Sequence, residues 1–259
     1  MTAPTHPRVF VVSTGRTGTT FLARFGTDVG AEAHHEPGPW WLRHLSNAYV
    51  SGHADHDRAV ATLRHRRADA GTSSPYLEAS CLIYGLVGPL LDAFDDARVV
   101  QVVRDPRTYV RSGLAWGVYR FGGRPLNLAP YRRLAPPQFR PWSPAERARW
   151  AGQDQFARLC WGWAAMNRAM RTQGGDHERF RTVRFEDLVD DGRGPATLAR
   201  ITADLGLSVD PDLLADAVAG PVNASRDSTD GDWRSWSTER LRLLVDRTAA
   251  AAAVRSTSR

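Results

Sequence analysis

Apolar residues along this chain fall into two rhythms. Arg8 to Ser13 (RVFVVS) and Arg98 to Val103 (RVVQVV) are short, nearly unbroken apolar runs, as expected of parallel strands covered on both faces. Tyr76 to Ser80 and Arg181 to Phe185 predict two more strands, and Ala31 to His35 a short one. Between them the apolar positions space as in helices, over Trp40–Val50, Asp55–Ala70, Tyr84–Phe94 and Asp105–Trp116, the last with Pro106 in its first turn. Ser143-Pro144-Ala145-Glu146 reads as a capping box opening one helix that runs to about Gln173, where Gly174-Gly175 stop it. Its stripe of Trp150, Phe156, Leu159, Trp163, Met166 and Met170 reads as core. Helices are also predicted from Pro195 to Gly206, from Pro211 to Gly220 and over Thr238–Val254, with loops at Phe121–Pro141 and Asn223–Trp236. Strands alternating with helices give an α/β fold of three layers, a central, mostly parallel sheet flanked by helices.

The 259 residues suit a single domain, with residues 1–7 and 255–259 as tails. No apolar run approaches the ~20 residues of a bilayer span, and Met1 to Pro7 lacks a signal-peptide core, so a cytoplasmic protein is expected. Cys81 and Cys160 are too few for a disulfide framework or a cysteine zinc site and read as structural thiols. No His/Asp/Glu cluster has metal-ligand spacing, and no metal is expected. All 34 basic residues are arginine, which removes every lysine-based chemistry and supplies planar forks suited to phosphate and sulfate. The net charge of +6 fits an anionic ligand, but it fits nucleic acid equally well.

Two segments carry candidate chemistry. Gly15-Arg16-Thr17-Gly18-Thr19-Thr20-Phe21 follows the first strand and opens a helix. Gly18 permits close backbone approach, the first helical amides attract an anion, and Thr17, Thr19 and Thr20 offer hydroxyls beside the charge of Arg16. The spacing is not that of a Walker loop, which also needs a lysine. The second segment is Arg104-Asp105-Pro106-Arg107, with Ser112 eight residues past Arg104. Arg104 ends a strand and Ser112 lies about two turns along the next helix, so both face the carboxyl edge of the sheet, where α/β folds bind ligands.

In these residues the sequence resembles the sulfotransferases that use 3′-phosphoadenosine-5′-phosphosulfate (PAPS), in a bacterial, carbohydrate- or tyrosyl-protein-like form. Arg16-Thr17-Gly18-Thr19-Thr20 matches the family's 5′-phosphosulfate loop, [KR]-[ST]-G-[ST]-[TS], and Arg104-Asp105-Pro106 with Ser112 matches its 3′-phosphate motif. Phe185-Glu186-Asp187-Leu188 is similar to a Tyr-Glu-Asp-Leu strand end, and Arg226 with Gly231-Asp232-Trp233-Arg234 to a late loop over the nucleotide. The resemblance implies a P-loop-like fold and PAPS as co-substrate. It implies Gly15 to Phe21 at the phosphosulfate, Arg104, Ser112 and Arg226 at the 3′-phosphate, and Trp233 and Arg234 closing over the nucleotide. Phe185 in place of tyrosine removes a hydrogen bond toward adenine.

Sulfuryl transfer needs in-line positioning, charge stabilisation and a base for the acceptor hydroxyl. Arg16 stabilises charge on the leaving phosphate but is a poor proton donor. Carbohydrate and tyrosyl-protein branches use a glutamate after the second strand, where this chain has Glu36; Glu78 and His35 are the alternates. The acceptor is a small molecule, a sugar or a lipid headgroup. Two rival readings share parts of the pattern. A small-molecule kinase would share the fold, but the Walker lysine is missing and the Arg104–Ser112 pair has no use for ATP. A nucleic-acid binder would use the charge, but the run Arg64-His65-Arg66-Arg67 has no interleaved aromatics and reads as a solvated helix face.

Overall fold

The computed structural model describes residues 6–39, 41–119, 148, 152–219 and 232–252. Five parallel strands form one sheet in the order β2-β3-β1-β4-β5, with β1 Arg8–Ser13, β2 Glu32–His35, β3 Tyr76–Ser80, β4 Ala97–Val103 and β5 Phe180–Arg184. The predicted α/β class is therefore the observed one. Every residue of β1 is buried, because β1 lies centrally between β3 and β4 and carries helices on both faces. The edge strands β2 and β5 are only half-buried, in keeping with their polar sequences EAHH and FRTVR.

Helices α1 Thr19–Asp28, α2 Leu42–Val50, α3 His56–Arg66, α4 Val87–Ala93 and α5 Pro106–Trp116 fill the first half. They are followed by α6 Gln155–Gly174, α7 Phe185–Leu188, α8 Gly194–Asp204, α9 Pro211–Ala219 and α10 Thr238–Ala252. The alternation of β1 sorts the core. Phe10 and Val12 join the cluster under α2, α3 and α4, whereas Val9 and Val11 join the one under α1, α8 and α9. A third cluster, built on Tyr109, Phe156, Leu159 and Trp163, packs α5 against α6 and α10.

Three predicted helices are shorter than the pattern suggested. The helix expected from the Ser143 capping box to Gln173 is broken at Gly152–Asp154 and runs from Gln155 to Gly174. Gly152 sits in a turn, and Asp154 caps the new start by accepting from the Ala157 amide at 2.8 Å. Ser143-Pro144-Ala145-Glu146, Trp150, the whole of Phe121–Pro141 and Arg226 lie outside the described residues. Asp55 is a cap, accepting from the Arg58 amide, and the helix it opens stops at Arg66. In the segment expected as Tyr84–Phe94 the helix starts only at Val87. Gly85 is pressed so close to α2 that an added Cβ would stand 2.5 Å from the Ser46 carbonyl oxygen. Among the described residues, no helix is long and apolar enough to cross a membrane.

Candidate active site

The carboxyl ends of β1, β4, β2 and β3 meet at one edge of the sheet, and the predicted chemistry gathers there. The chain leaves β1 in a reversed course, with positive φ at Gly15 (82°), Arg16 (57°) and Gly18 (76°), and enters α1 at Thr19. Gly18 caps α1 without a side-chain hydrogen bond, so the first amides of the helix lack an intramolecular partner of that kind. A Cβ on Gly18 would stand 2.9 Å from the Phe185 ring, so glycine is required there by contact as well as by conformation. Thr17 is fully buried, and its hydroxyl has no hydrogen-bond partner. A buried hydroxyl without a partner is uncommon and calls for an explanation, such as a ligand cradled by this loop.

Arg104 stands at the neighbouring strand tip and reaches this loop. Its Nη1 donates to the Arg16 carbonyl oxygen at 2.7 Å, its Nε to Thr108 Oγ1 at 3.0 Å, and its guanidinium lies over Phe185, 4.6 Å from the ring centroid. Burial pushes its pKa down to about 10, and the Arg16 and Arg111 guanidinia add to that against the Glu186 carboxylate. Burial likewise lowers Arg16, whose Nε donates to Ser112 Oγ at 3.0 Å and whose guanidinium lies 4.8 Å over Trp116. Two part-buried guanidinia with a third nearby make this corner cationic, with the Glu186 and Asp105 carboxylates beside Arg104. The predicted partners Arg16, Arg104 and Ser112 are thus joined directly.

Several residues that the sequence left without a role set this geometry. Glu186 accepts from the Asp105 amide at 2.8 Å, tying the start of α7 to the start of α5. Asp105 caps α5 and holds Arg107 through Oδ2 at 2.6 Å; burial raises its carboxyl, but the hydrogen bonds from Arg107 outweigh this and keep it low. Trp163 Nε1 donates to the Arg104 carbonyl oxygen at 2.9 Å. The late segment docks alongside, in a short 3₁₀ turn, Trp233–Ser235. Trp233 takes Arg107 at 4.4 Å and Arg234 at 4.9 Å from its ring centroid. Trp233 and Arg234 are therefore brought to the α5 start.

The three candidate bases are placed differently. His35 Nε2 lies 3.0 Å from Thr19 Oγ1 and 3.3 Å from Thr20 Oγ1, at the mouth of the cradle. Glu36 follows with φ of 50° and accepts from Cys81 Sγ at 2.9 Å. Cys81 in turn neighbours the loop, since a Cβ on Gly15 would stand 3.5 Å from its sulfur. Burial foremost, with the Glu36 carboxylate beside it, pushes the Cys81 thiol well up, so it remains a protonated donor to Glu36. Cys81, read as a structural thiol, thus neighbours both Glu36 and the loop, whereas Cys160 is buried in the third cluster.

Glu78 is not brought to the cradle. It is fully buried, held by Arg67 Nε at 2.5 Å and Nη2 at 2.9 Å and by the Tyr76 hydroxyl at 3.1 Å. The residue alternation of β3 points it into the core beside Phe10 instead of toward the strand tip. Arg67, read from sequence as part of a solvated run, is its buried partner. Breaking such a pair from one side strands a charge, so Glu78→Ala is expected to cost about 3–5 kcal/mol of stability. Urea unfolding checks this, with the turnover of the folded protein at low temperature unchanged.

Among the described residues that are not glycine, only Arg16, Glu36 and Tyr119 have positive φ, and the first two sit in this site. Strained backbone of this kind persists where the surroundings over-determine it, and it clusters at functional sites.

Fold and strand-tip charges together define an α/β domain with a cationic site at the carboxyl edge of its sheet. Residues 27–211 match the profile of the Sulfotransferase family, well over half of the sequence, and the chain belongs to that family. The matched stretch contains His35, Glu36, Glu78, Arg104 and Ser112 and begins after the Gly15–Phe21 loop. Solved structures agree in fold. The sulfotransferase domain of the curacin biosynthetic pathway is 14% identical, with 95% of this chain and 99% of that one covered and a TM-score of 0.51. A sulfotransferase from Alicyclobacillus acidocaldarius is 17% identical, with coverage of 96% and 94% and a TM-score of 0.51. Mouse sulfotransferase SULT7A1, solved complexed with PAP, is 14% identical, with coverage of 93% and 84% and a TM-score of 0.50. No curated protein sequence matches the chain.

Proposed function

We propose that this sulfotransferase takes its sulfuryl group from PAPS and passes it to a hydroxyl or amine of a small-molecule acceptor, in a single in-line displacement. The observation that carries the reading is the hydrogen bond from Arg104 to the Arg16 carbonyl, which holds two cationic strand tips side by side. The orphan Thr17 hydroxyl and the lowered pKa values of Arg16 and Arg104 fit a ligand bearing a phosphate at each end.

In this reading the amides of Thr19 to Phe21 and the hydroxyls of Thr17, Thr19 and Thr20 hold the 5′ end, while Arg104 and Ser112 hold the 3′-phosphate. Trp233 and Arg234 cover the nucleotide side, and Arg226 belongs with them by sequence. PAPS supplies an activated sulfuryl group whose leaving group is a phosphate. Glu36 takes the proton of the acceptor as its oxygen bonds to sulfur and the bond from sulfur to the phosphate oxygen breaks. Arg16 meets the charge that develops on that oxygen. The products are a sulfate ester, or a sulfamate from an amine, adenosine 3′,5′-bisphosphate and a proton.

The direct test is a thermal shift. Adenosine 3′,5′-bisphosphate at about 100 times its Kd is expected to add about 2.7 kcal/mol of stability, and Mg-ATP at the same concentration none. Arg104→Ala should remove most of that shift. The reverse ligand preference would favour a kinase. A salt-sensitive retention of DNA or RNA in place of either would favour the nucleic-acid reading.

A further inference from the structure

One buried charge has no role in the chemistry above. Arg43, on α2, extends its guanidinium to the end of β3, where Nη1 donates to the Cys81 carbonyl oxygen at 2.7 Å and Nη2 to Met166 Sδ at 3.3 Å. The guanidinium lies over the Tyr84 ring, 4.7 Å from its centroid. Its Nε is buried and meets no hydrogen-bond acceptor, and no carboxylate among the described residues pairs with it. Three other part-buried or buried arginines of this chain do have carboxylates: Arg8 has Asp96, Arg67 has Glu78 and Arg181 has Asp204.

The surroundings of Arg43 do not compensate it. They are the thiol of Cys81 and the phenols of Tyr84, Tyr109 and Tyr119. Burial pushes all four upward, Tyr84 to about 12, so each is neutral near pH 7. The guanidinium itself stays charged near pH 7: burial works to lower its pKa, but an arginine does not give up its proton in this range. A buried charge facing only neutral dipoles costs several kcal/mol until an anion reaches it.

Its position says which anion. Cys81 touches Arg43 through its carbonyl and Glu36 through its sulfur, and it borders Gly15 of the cradle. The guanidinium, with no carboxylate of its own, therefore lies one residue behind the proposed base, joined to it through Cys81 and set among aromatic rings. We propose that Arg43 is the specificity residue of the acceptor site, and that the acceptor is an aromatic hydroxy acid whose carboxylate pairs with Arg43 while its hydroxyl meets Glu36. This rests on the reading of Glu36 and the cradle given above. Three guanidinium N–H groups are left after the bonds to Cys81 and Met166, enough for a two-pronged carboxylate contact.

Matched pairs of acid and amide test it: 4-hydroxybenzoate against 4-hydroxybenzamide, and 4-hydroxyphenylacetate against its amide. Calorimetry is run on the full chain saturated with adenosine 3′,5′-bisphosphate. In at least one pair the acid is expected to bind about tenfold or more tightly than the amide, as befits a charge-assisted contact. Arg43→Gln should erase that preference and Arg43→Lys keep part of it, with the nucleotide-induced thermal shift unchanged in both. If Arg43→Gln does not fold, the salt dependence of the wild-type preference and the Arg43→Lys variant decide. Equal binding within both pairs, no binding of any probe, or a preference that survives Arg43→Gln overturns the proposal. A retained acid preference in a protein that adenosine bisphosphate fails to stabilise would sink the donor assignment and leave the acceptor subsite standing.

Discussion

Glu36→Gln is expected to reduce the transfer of labelled sulfate from PAPS by at least 10²- to 10⁴-fold, the range of a lost general base, while the thermal shift with adenosine 3′,5′-bisphosphate stays at its wild-type value. The substitution is nearly isosteric. Glutamine keeps an oxygen for the Cys81 thiol to donate to, so the 2.9 Å contact and the β2 exit that it fixes should survive. What disappears is the ability to hold a proton taken from the acceptor. A wild-type rate in this variant would move the base to His35, whose ring stands 3.0 Å from Thr19 Oγ1. The same assay on His35→Gln would then read that role directly. Glu78 is not a comparable substitute, because both its oxygens are engaged by Arg67 inside the core.

Arg16→Ala is expected to lower kcat by about 10²- to 10³-fold, the scale on which removal of one transition-state donor acts, with a smaller change in nucleotide affinity. The reasoning is geometric. The Arg16 carbonyl is what Arg104 grips, and alanine retains it, so Arg104 keeps that anchor. Only the guanidinium, with its contacts to Ser112 and Trp116, is deleted. An equal fall in affinity and kcat would mean that Arg16 serves binding throughout the reaction cycle, and an unchanged kcat would remove it from the chemistry. Arg16→Lys restores a charge but not the fork, and should recover part of the rate.

The parts of the site written in contiguous sequence were legible in advance. A continuous apolar strand followed by Gly15 to Thr20 announces its own local geometry, and so does Arg104-Asp105-Pro106 with Ser112 two turns on. What could not be read were partners supplied by distant elements. Glu186 reaches the Asp105 amide across 81 residues, Arg43 reaches Cys81 across 38, and Cys81 reaches Glu36 across 45. Cys81 carries no motif at all, and only the meeting of β2, β3 and the cradle gives it a neighbour. Glu78 was misjudged for a related reason. Its closeness in sequence to the strand tip hides the side of the sheet it faces, and strand alternation decides that. A basic run gave a false surface reading at Arg67, because a single arginine at the end of α3 turns inward to a carboxylate that is invisible in the local pattern. The interrupted helix before Gln155 shows a local cap overriding periodicity.

Left-handed backbone at Arg16 and Glu36 has a consequence for anyone who tries to harden this protein. Each position holds a long side chain where glycine or asparagine would rest more comfortably, at a difference of about 1–2 kcal/mol. With Arg16 and Glu36 in their proposed roles, a screen that rewards heat tolerance alone would drift toward those two codons and return robust, inert proteins. Durability and turnover pull in opposite directions at these sites, so selection for one must be run under demand for the other.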